Sequence, residues 1–452
     1  MIGNKLKRKL HPSFYIMLGF MLIILIGAFL LALPISNNDG HWLGFVDSFF
    51  TSTSAVCVTG LVVVDTATQF SLFGQFVILF LIQVGGLGIV VLTSCIFLLL
   101  KKKINFSNRI VLKESFNRDT IQGVVKYLKK VILLTFIIEG VGAICLLGST
   151  IAFFGNFWKG LFSAVFMSVS AFCNAGFDIF GNEMMQFQGM SSFASNVLMQ
   201  LPIMMLIIIG GLGFIVLIEG FKKFKNNQHA RVAVFMTIGL LVGGAIVFMF
   251  VEWNNPRTLG NMPWWQKVLN SFFQSTTTRT AGMATFDQAG LTPSGTILTI
   301  LLMFIGGCPT STSGGIKTTT LFIILLVLFK QPNENGHIVY KDRKISAKII
   351  MKAFKIVMYM VAMLIISIVV LSLIEGDMYS VEVIIFECVS AISTVGLSMG
   401  ITPLLSTASK VIVALLMFVG RVGMTTIVLA LSTKSNKISE EVEYLNTDII
   451  VG

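Results

Sequence analysis

Eight long apolar runs alternate with shorter polar segments along this chain of 452 residues. Each run approaches or exceeds the about 20 apolar residues that an α-helix needs to cross a bilayer. The runs are residues 14–32, 73–100, 131–154, 197–218, 232–251, 297–329, 349–373 and 411–431. The first is not followed by a small-residue cleavage site, and we expect it to be retained as a span. The pattern therefore predicts an all-α integral membrane protein.

One polar segment interrupts this pattern four times. In each copy a Phe stands ten residues before a Gly, and a hydroxyl-bearing residue stands six before it. The copies end at Gly60, Gly176, Gly282 and Gly396, which are 106 to 116 residues apart. Because a repeat at a nearly fixed spacing indicates repeated structural units, we assign the same structure to all four copies. Each copy is too short and polar to cross a membrane, and predicts a half-helix that enters and returns as extended chain. Backbone of that kind is tolerated only where it lines a water-filled cavity.

A second repeated pattern lies in the apolar run that follows each polar segment. Gly86, Gly211, Gly307 and Arg421 occupy matching positions, 25 to 35 residues after the Gly that ends each copy. We expect these four positions to face one another near the middle of the membrane. Close helix packing by small residues is the other explanation for the glycine pairs of the first two copies.

The third of these runs departs from the apolar pattern, because residues 306–320 read GGCPTSTSGGIKTTT. Proline removes a backbone donor and glycine lowers helix stability, so we expect an unwound segment buried within a pore. Arg421 stands at the matching level, and a charge inside a membrane is by default a functional hypothesis. The alternative is that it caps the carbonyls of the broken helix. The candidate gate comprises Gly306, Gly307, Cys308, Pro309, Thr310, Ser311, Thr312, Ser313, Gly314, Gly315, Lys317 and Arg421.

Charge supports the membrane assignment and orients the chain. Only 12% of the residues are charged, about half of what soluble proteins carry. Positive runs at residues 5–9, 101–103, 126–130, 222–225, 341–344 and 434–437 adjoin one set of span ends. The positive-inside rule places both termini in the cytoplasm and the four polar copies outside the plasma membrane. Because orientation accounts for the net charge of +12, we do not expect nucleic-acid binding.

The four polar copies have the features of a cation filter. A half-helix that points at a central axis turns the negative end of its dipole inward, and the following chain offers backbone carbonyls in place of water. Because the side chains before each Gly differ among the copies, we expect backbone oxygens rather than side chains to coordinate the ion. The candidate filter comprises Val58, Thr59, Gly60, Asn174, Ala175, Gly176, Thr280, Ala281, Gly282, Thr394, Val395 and Gly396. Arg279 replaces a small residue, and we expect it behind the filter as a structural or tuning charge.

Other chemistries find little support in the sequence. The six cysteines and four histidines show no metal-ligand spacing. A membrane enzyme would need a nucleophile with a base, yet the spans hold few carboxylates, chiefly Glu139 and Glu387. We therefore expect no enzyme. Since neither a Walker motif nor a dinucleotide fingerprint is present, we expect no nucleotide on this chain.

The four span–loop–span units, the single Gly in each loop, the GGCPTSTSGG segment and the Arg in the last span resemble one family. It is the Trk/Ktr/HKT superfamily of cation transporters, and the chain looks most like its KtrB-type membrane subunits. The resemblance implies a homodimeric potassium uptake protein with one pore per protomer. It also implies regulation by a cytosolic ring of nucleotide-binding RCK subunits of the KtrA/KtrC type. In that family Gly at all four filter positions accompanies potassium selectivity, and Gly60 fits that group.

The predicted units are residues 1–105, 106–226, 227–335 with a broken second span, and 336–433, followed by a cytoplasmic tail, 434–452. The stretch 101–130 is either a docking hairpin for the partner or a solvated connection. A sodium or unselective monovalent-cation transporter stays open as an alternative, and so does a sodium requirement. Alternating-access carriers also use repeats and broken helices. Here, however, the repeats share one orientation, which fits a pore better.

Overall fold

The computed structural model describes residues 12–88, 91, 94, 112–113, 122–182, 186–187, 189–220, 224, 227–333, 337–341, 343–423 and 426–427. The predicted tail 434–452, the positive runs 5–9 and 101–103, and most of the stretch 101–130 lie outside these residues. Within them the chain is mostly helical, as the apolar pattern predicts. One small antiparallel hairpin joins β1 (Val339–Tyr340) to β2 (Arg343–Lys344).

The α-helices of the described residues follow one another along the chain, with short 3-10 and π segments between some of them. They are α1 (Pro12–Ala32), α2 (Phe45–Cys57), α3 (Thr66–Gln69), α4 (Leu72–Leu87), α5 (Val124–Phe154), α6 (Phe157–Cys173), α7 (Val197–Leu212), α8 (Gln228–Glu252), α9 (Trp264–Thr277), α10 (Pro293–Phe304), α11 (Thr318–Phe329), α12 (Ala347–Glu375), α13 (Val381–Ile392) and α14 (Thr407–Val422). The 3-10 turns are Pro34–Ser36, Ser191–Phe193, Gln288–Gly290 and Thr402–Leu404, and Val216–Gly220 is a π-helical turn.

Four of the predicted spans are long single helices. Among the described residues α1, α5, α8 and α12 are long and apolar enough to cross a membrane. Each precedes a shorter helix of 12 to 17 residues, respectively α2, α6, α9 and α13. At 1.5 Å per residue these reach roughly 18–26 Å, short of the roughly 30 Å hydrocarbon layer. The short helices coincide with the four polar copies.

The other four predicted spans are interrupted helices, and this corrects the prediction of an unbroken span in three of them. Helices α4, α7 and α14 each end at a glycine in the left-handed half of backbone space. These glycines are Gly88 (φ +86°), Gly213 (φ +83°) and Gly423 (φ +85°). Glycine ends helices in this way because it has no Cβ to oppose a positive φ. In the third unit residues 305–317 separate α10 from α11, so the helix is broken as the sequence predicts, but residues 318–320 of the expected unwound segment belong to α11.

Serines fasten three of the short helices to the long helix before them. Ser52 Oγ donates to the Ile24 carbonyl at 2.7 Å, Ser168 Oγ to that of Glu139 at 2.6 Å, and Ser275 Oγ to that of Leu241 at 2.7 Å. A glycine stands three residues after each acceptor, and a Cβ there would lie closer than 3.0 Å to the serine oxygen. The same small-residue contact therefore positions α2, α6 and α9.

Large apolar side chains point outward from the long helices. Phe250 is 83% exposed, Leu373 81% and Ile144 74%. Soluble monomers rarely expose apolar surface on this scale, whereas lipid tails cover it without penalty. The outer surface of the described residues is therefore that of a multi-pass membrane protein.

Candidate ion filter and central loop

The backbone repeats one unusual shape at the end of each short helix. Two residues before each repeated Gly the chain has a positive φ: Val58 (56°), Asn174 (58°), Thr280 (72°) and Thr394 (51°). The glycines are positive as well: Gly60 (96°), Gly176 (72°), Gly282 (74°) and Gly396 (95°). A positive φ is uncommon for residues with a Cβ and is strained for branched ones such as Val and Thr. Four copies of the same strained shape indicate that the surrounding structure imposes it.

Hydroxyl groups hold this shape in place. The backbone N–H of Gly60 donates to Ser54 Oγ at 3.0 Å, and that of Gly396 donates to Ser390 Oγ at 3.1 Å. Ser170 Oγ instead donates to the Phe177 carbonyl at 2.6 Å. These three serines are the hydroxyl-bearing residues that the repeat singles out.

The third copy uses a different hydroxyl from the one the alignment indicates. Thr277 Oγ1 donates to the Met283 carbonyl at 2.6 Å, one residue beyond the repeated Gly. Thr276, which occupies the aligned position, bonds back to the Phe272 carbonyl of its own helix. The half-helix α9 is therefore offset by one residue relative to the other copies, which the sequence pattern did not reveal.

The four repeated glycines form a closed ring in chain order, called the glycine ring below. A Cβ added to any one of them would lie closer than 3.0 Å to backbone of the next copy. Gly60 meets the Ala175 carbonyl, Gly176 that of Ala281, Gly282 that of Val395, and Gly396 closes the circle on that of Thr59. A side chain at any of the four positions would force backbone of the next copy to shift, so with glycine there backbone atoms make up the centre of the ring.

A cavity of about 390 Å³ opens on one side of the glycine ring, and all four of its glycines line it. Asp65, Asp178 and Asp287 line the same cavity. Burial raises the pKa of Asp178 from 3.8 to about 6; the N–H of Phe180, at 3.2 Å, opposes the shift and the charge of Asp65 adds to it. This cavity, called the vestibule below, therefore carries carboxylates beside the ring.

Glycines pack the interrupted helices against the half-helices. Beside Gly85, Gly210 and Gly420 the nearest atoms to an added Cβ are the carbonyl oxygens of Val56, Phe172 and Ile392, respectively. Each carbonyl stands four residues before the ring glycine of its copy. Close packing thus explains the first glycine of these pairs. In the third unit Gly306 meets the Gly314 carbonyl instead.

Residues 305–317, called the central loop below, are ordered by backbone hydrogen bonds. Gly306 N–H donates to the Ile316 carbonyl at 2.9 Å, and Thr318 N–H donates to that of Gly307 at 3.0 Å. The N–H of Cys308 donates to the Gly211 carbonyl at 2.8 Å. The loop therefore rests on the glycines where α7 ends, and it brings Gly307 against Gly211.

The central loop also touches the candidate filter. Asn174 Nδ2 donates to Ser313 Oγ at 2.6 Å, and Thr312 Oγ1 donates to the Phe172 carbonyl at 3.1 Å. A Cβ on Gly314 would lie 2.8 Å from the Ser393 carbonyl. The loop is thus in contact with the second and fourth copies, just beside the glycine ring.

Three cationic side chains donate to carbonyl oxygens around the central loop. Arg421 donates to the carbonyls of Thr312, Gly85 and Gly86, the last at 3.3 Å. Lys317 Nζ donates to the Ser313 carbonyl at 2.5 Å. Arg279 donates at 3.4 Å to the carbonyls of Thr237 and Gly306. Arg421 thus binds its matching position in the first unit, Gly86, and the Thr312 carbonyl of the central loop. Arg279 lies between its half-helix and the start of the loop.

Glu139 and Glu387, the two carboxyl groups considered for an enzyme, have different hydrogen-bond partners. Glu139 accepts from Gln83 Nε2 at 3.2 Å, and Cys173 Sγ lies 3.9 Å away. Glu387 accepts from the Thr402 hydroxyl. In the described part of the chain no three His, Cys, Asp or Glu residues are grouped as for a metal ion. Each carboxyl group thus accepts a hydrogen bond from a different element, Glu139 from α4 and Glu387 from the turn Thr402–Leu404.

The sequence matches the TrkH family, described as cation transport protein, over residues 13–441. The potassium/sodium uptake protein NtpJ of Enterococcus hirae is 38% identical over 455 residues, or 99% of both chains. The Ktr system potassium uptake protein B of Bacillus subtilis is 38% identical over 421 residues, or 92% of both chains.

The chain belongs to the TrkH family of cation transport proteins. This confirms the family resemblance, and the protein is a transporter rather than an enzyme. The fold agrees with a solved structure, that of the potassium transporter TrkH from Vibrio parahaemolyticus, with a TM-score of 0.71. That match covers 95% of this chain and 87% of the other at 17% identity. It therefore supports the fold alone.

Proposed function

We propose that this TrkH family member takes up potassium across the plasma membrane through a single pore whose filter is the glycine ring. The observation that carries the proposal is the closure of the ring, in which each glycine lies against backbone of the next copy. In this proposal the four predicted units are pseudo-symmetric around the pore. Backbone carbonyls at the predicted filter positions replace the water around a dehydrated cation.

Electrostatics favour a cation at this place. The C-termini of α2, α6, α9 and α13 end three to five residues before the ring glycines. The C-terminus of a helix carries the negative end of its dipole, equivalent to roughly half an elementary charge. The carboxylates of the vestibule add negative charge on the side that we propose is extracellular.

Potassium is the proposed substrate because the relatives named above are potassium uptake proteins. One of them is named for both potassium and sodium. Sodium is therefore the second candidate, either as a substrate or as a required ion. The four ring glycines favour potassium through the family pattern, since Gly60 stands where sodium-selecting members carry Ser.

The central loop is the proposed gate, with Arg421 as its partner. The loop lies next to the glycine ring. Its carbonyl oxygens accept hydrogen bonds from the side chains of Arg279, Lys317 and Arg421. A positively charged, ordered segment beside the filter would oppose the passage of another cation. Opening then requires the loop to move away from these contacts.

The proposed assembly is a homodimer with a cytosolic ring of nucleotide-binding RCK subunits. Its support is the family resemblance, together with the similarity to a protein named as part of a Ktr system. Both termini and the stretch 101–130 are cytoplasmic in this proposal, and the nucleotide binds to the partner. Deleting part of 101–130 is expected to weaken co-purification of the partner; undiminished co-purification would discard that stretch as a docking site.

The transport proposal is tested with the purified protein in lipid vesicles. Rubidium influx is measured with competing potassium or sodium, with and without the cytosolic partner. Potassium is expected to compete at concentrations well below those of sodium, and expression is expected to restore growth of potassium-depleted cells. Vesicles that contain folded protein but take up no rubidium under any of these conditions would overturn the proposal. Equal competition by sodium would favour the unselective alternative.

A further inference from the structure

Asn174 differs from the residues at the equivalent positions of the other copies. Two residues before the ring glycines the chain has Val58, Asn174, Thr280 and Thr394, and all four have a positive φ. Asparagine tolerates that conformation better than most residues, but Val and Thr adopt it here as well. The backbone alone therefore does not account for the amide, which is 1% exposed. A buried amide is unfavourable unless it is hydrogen-bonded.

The partner of this amide belongs to the central loop. Asn174 Nδ2 donates to Ser313 Oγ at 2.6 Å, and the two residues are 139 positions apart in sequence. Asn174 Oδ1 is buried without a hydrogen-bond partner among the described residues. Within that part of the chain, Ser313 is the one hydrogen-bond partner of the Asn174 side chain.

The neighbouring loop residue makes a parallel contact. Thr312 Oγ1 donates to the carbonyl of Phe172, two residues before Asn174. The carbonyls of these two loop residues are held from the other direction, that of Thr312 by Arg421 and that of Ser313 by Lys317 at 2.5 Å. Residues 312 and 313 thus join the filter to the cations through side chains on one side and backbone oxygens on the other.

We propose that Asn174 is a positioning residue through which the central loop sets the ion selectivity of the filter. The inference rests on the proposed filter and gate, and adds that the two are coupled. While the loop is in place, Ser313 holds the Asn174 amide and with it the second copy of the filter. When the loop moves, this bond breaks and the second copy loses its support. At the equivalent positions Thr280 Oγ1 and Thr394 Oγ1 have no hydrogen-bond partner among the described residues. Selectivity therefore depends on the position of the loop.

The test measures the inhibition constant of sodium against rubidium uptake in vesicles, for the full chain and its variants. Ser313→Ala removes the acceptor, and Asn174→Gly removes the amide while still allowing a positive φ. Each is expected to shift the sodium-to-rubidium ratio by about two- to tenfold, the range that the loss of one net hydrogen bond supports. The double variant is expected to shift the ratio no more than either single one, because both remove the same bond.

Two further variants separate this coupling from general damage to the loop. Ser313→Thr retains the hydroxyl and is expected to keep the ratio near that of the unaltered protein. Ser311→Ala removes a loop hydroxyl that has no hydrogen-bond partner among the described residues. It is expected to leave the ratio unchanged, whatever its effect on the uptake rate.

The outcomes distinguish this inference from the proposed function. If the unaltered protein does not take up rubidium, the proposed function fails. If it does, but Ser313→Ala and Asn174→Gly both leave the sodium-to-rubidium ratio unchanged, only the coupling is overturned. Additive shifts in the double variant would likewise overturn it, since the two residues would then act independently. If Ser311→Ala also changes the sodium-to-rubidium ratio together with the uptake rate, the effect comes from disruption of the loop and the coupling is overturned.

Discussion

Arg421 donates a hydrogen bond of 3.3 Å from Nη2 to the carbonyl oxygen of Gly86. The same guanidinium binds the Thr312 carbonyl of the central loop. One side chain of α14 therefore holds the end of α4 and the loop together. These contacts are those expected of a cap for the carbonyls of a broken helix. The other role, a barrier in the pore, stays a prediction.

Replacing Arg421 by Gln is expected to increase ion flux. Two unit charges about 8 Å apart repel by about 2 kcal/mol at an effective dielectric constant of 20. Removing the guanidinium also frees the loop, so we expect rubidium uptake per molecule to rise by about thirtyfold, since every 1.4 kcal/mol is a factor of ten. The control is Lys410→Gln on the same helix, because Lys410 forms an ion pair with Asp47 at 2.8 Å, away from the loop. Unchanged flux in Arg421→Gln would leave the arginine with a packing role.

Gly60→Ser is expected to relax selectivity toward sodium. At Gly60 φ is +96°, and a Cβ would lie 2.6 Å from the Ala175 carbonyl. The new side chain must therefore displace backbone of the neighbouring copy and widen or distort the ring. The measurement is the ratio of potassium to sodium competition against rubidium uptake. Gly40→Ser is the matched control, because Gly40 also has a positive φ (+67°) but no atom within 4 Å of an added Cβ. Equal ratios in the two variants would argue against coordination by the ring.

Much of this architecture is encoded in patterns that can be read along the chain. The apolar runs predict the long helices, and the four polar copies coincide with the short ones. The glycine that ends α4, α7 and α14 was also visible, two residues after each of the matching positions Gly86, Gly211 and Arg421. A glycine repeated at that spacing is a helix-ending signal. Because it lies inside a long apolar run, the run predicts an unbroken helix instead.

Other features depend on contacts that no local pattern reveals. The one-residue offset, in which Thr277 takes the place of Thr276, is seen only in the hydrogen bonds of the folded chain. The bond between Asn174 and Ser313 joins different units, and only the folded chain brings them together. The sequence identifies the residue types at both places. Their pairing depends on the path of the central loop, and the roles assigned to filter and gate remain predictions.

Ser168→Ala is expected to lower stability with little change in selectivity. Ser168 Oγ donates to the Glu139 carbonyl at 2.6 Å and fastens α6 to α5. Loss of one such bond is worth about 1 kcal/mol, which for a chain of 452 residues corresponds to a thermal midpoint lower by about 1 °C. Unfolding in detergent, followed by size-exclusion chromatography after heating, measures the midpoint. The control Ser163→Ala removes a buried hydroxyl of the same helix that has no hydrogen-bond partner among the described residues. If Ser163→Ala lowers the midpoint as much as Ser168→Ala, the loss of stability comes from packing rather than from the hydrogen bond.

Uptake at low rubidium concentration is expected to rise with pH between about 5 and 7. The pKa of Asp178 is raised from 3.8 to about 6 by burial, so its carboxyl group is neutral in the folded protein at pH 5 and charged at pH 7. The charge that appears lies in the vestibule with Asp65 and Asp287. Negative charge at the entrance of a cleft raises the local cation concentration, and we expect an effect of about two- to fivefold.

Asp178→Asn removes the titrating group. Its uptake is expected to be independent of pH and equal to the low rate of the unaltered protein at pH 5. Asp39→Asn serves as the control, because Asp39 is an exposed carboxylate that does not line the vestibule. The linkage has a defined sign. Since the folded protein binds the Asp178 proton more tightly than the unfolded chain, this group's contribution to stability falls as pH rises from about 3.8 to 6. A rise in uptake therefore cannot come from stabilisation by Asp178. If Asp178→Asn keeps the full pH dependence, another group controls cation entry.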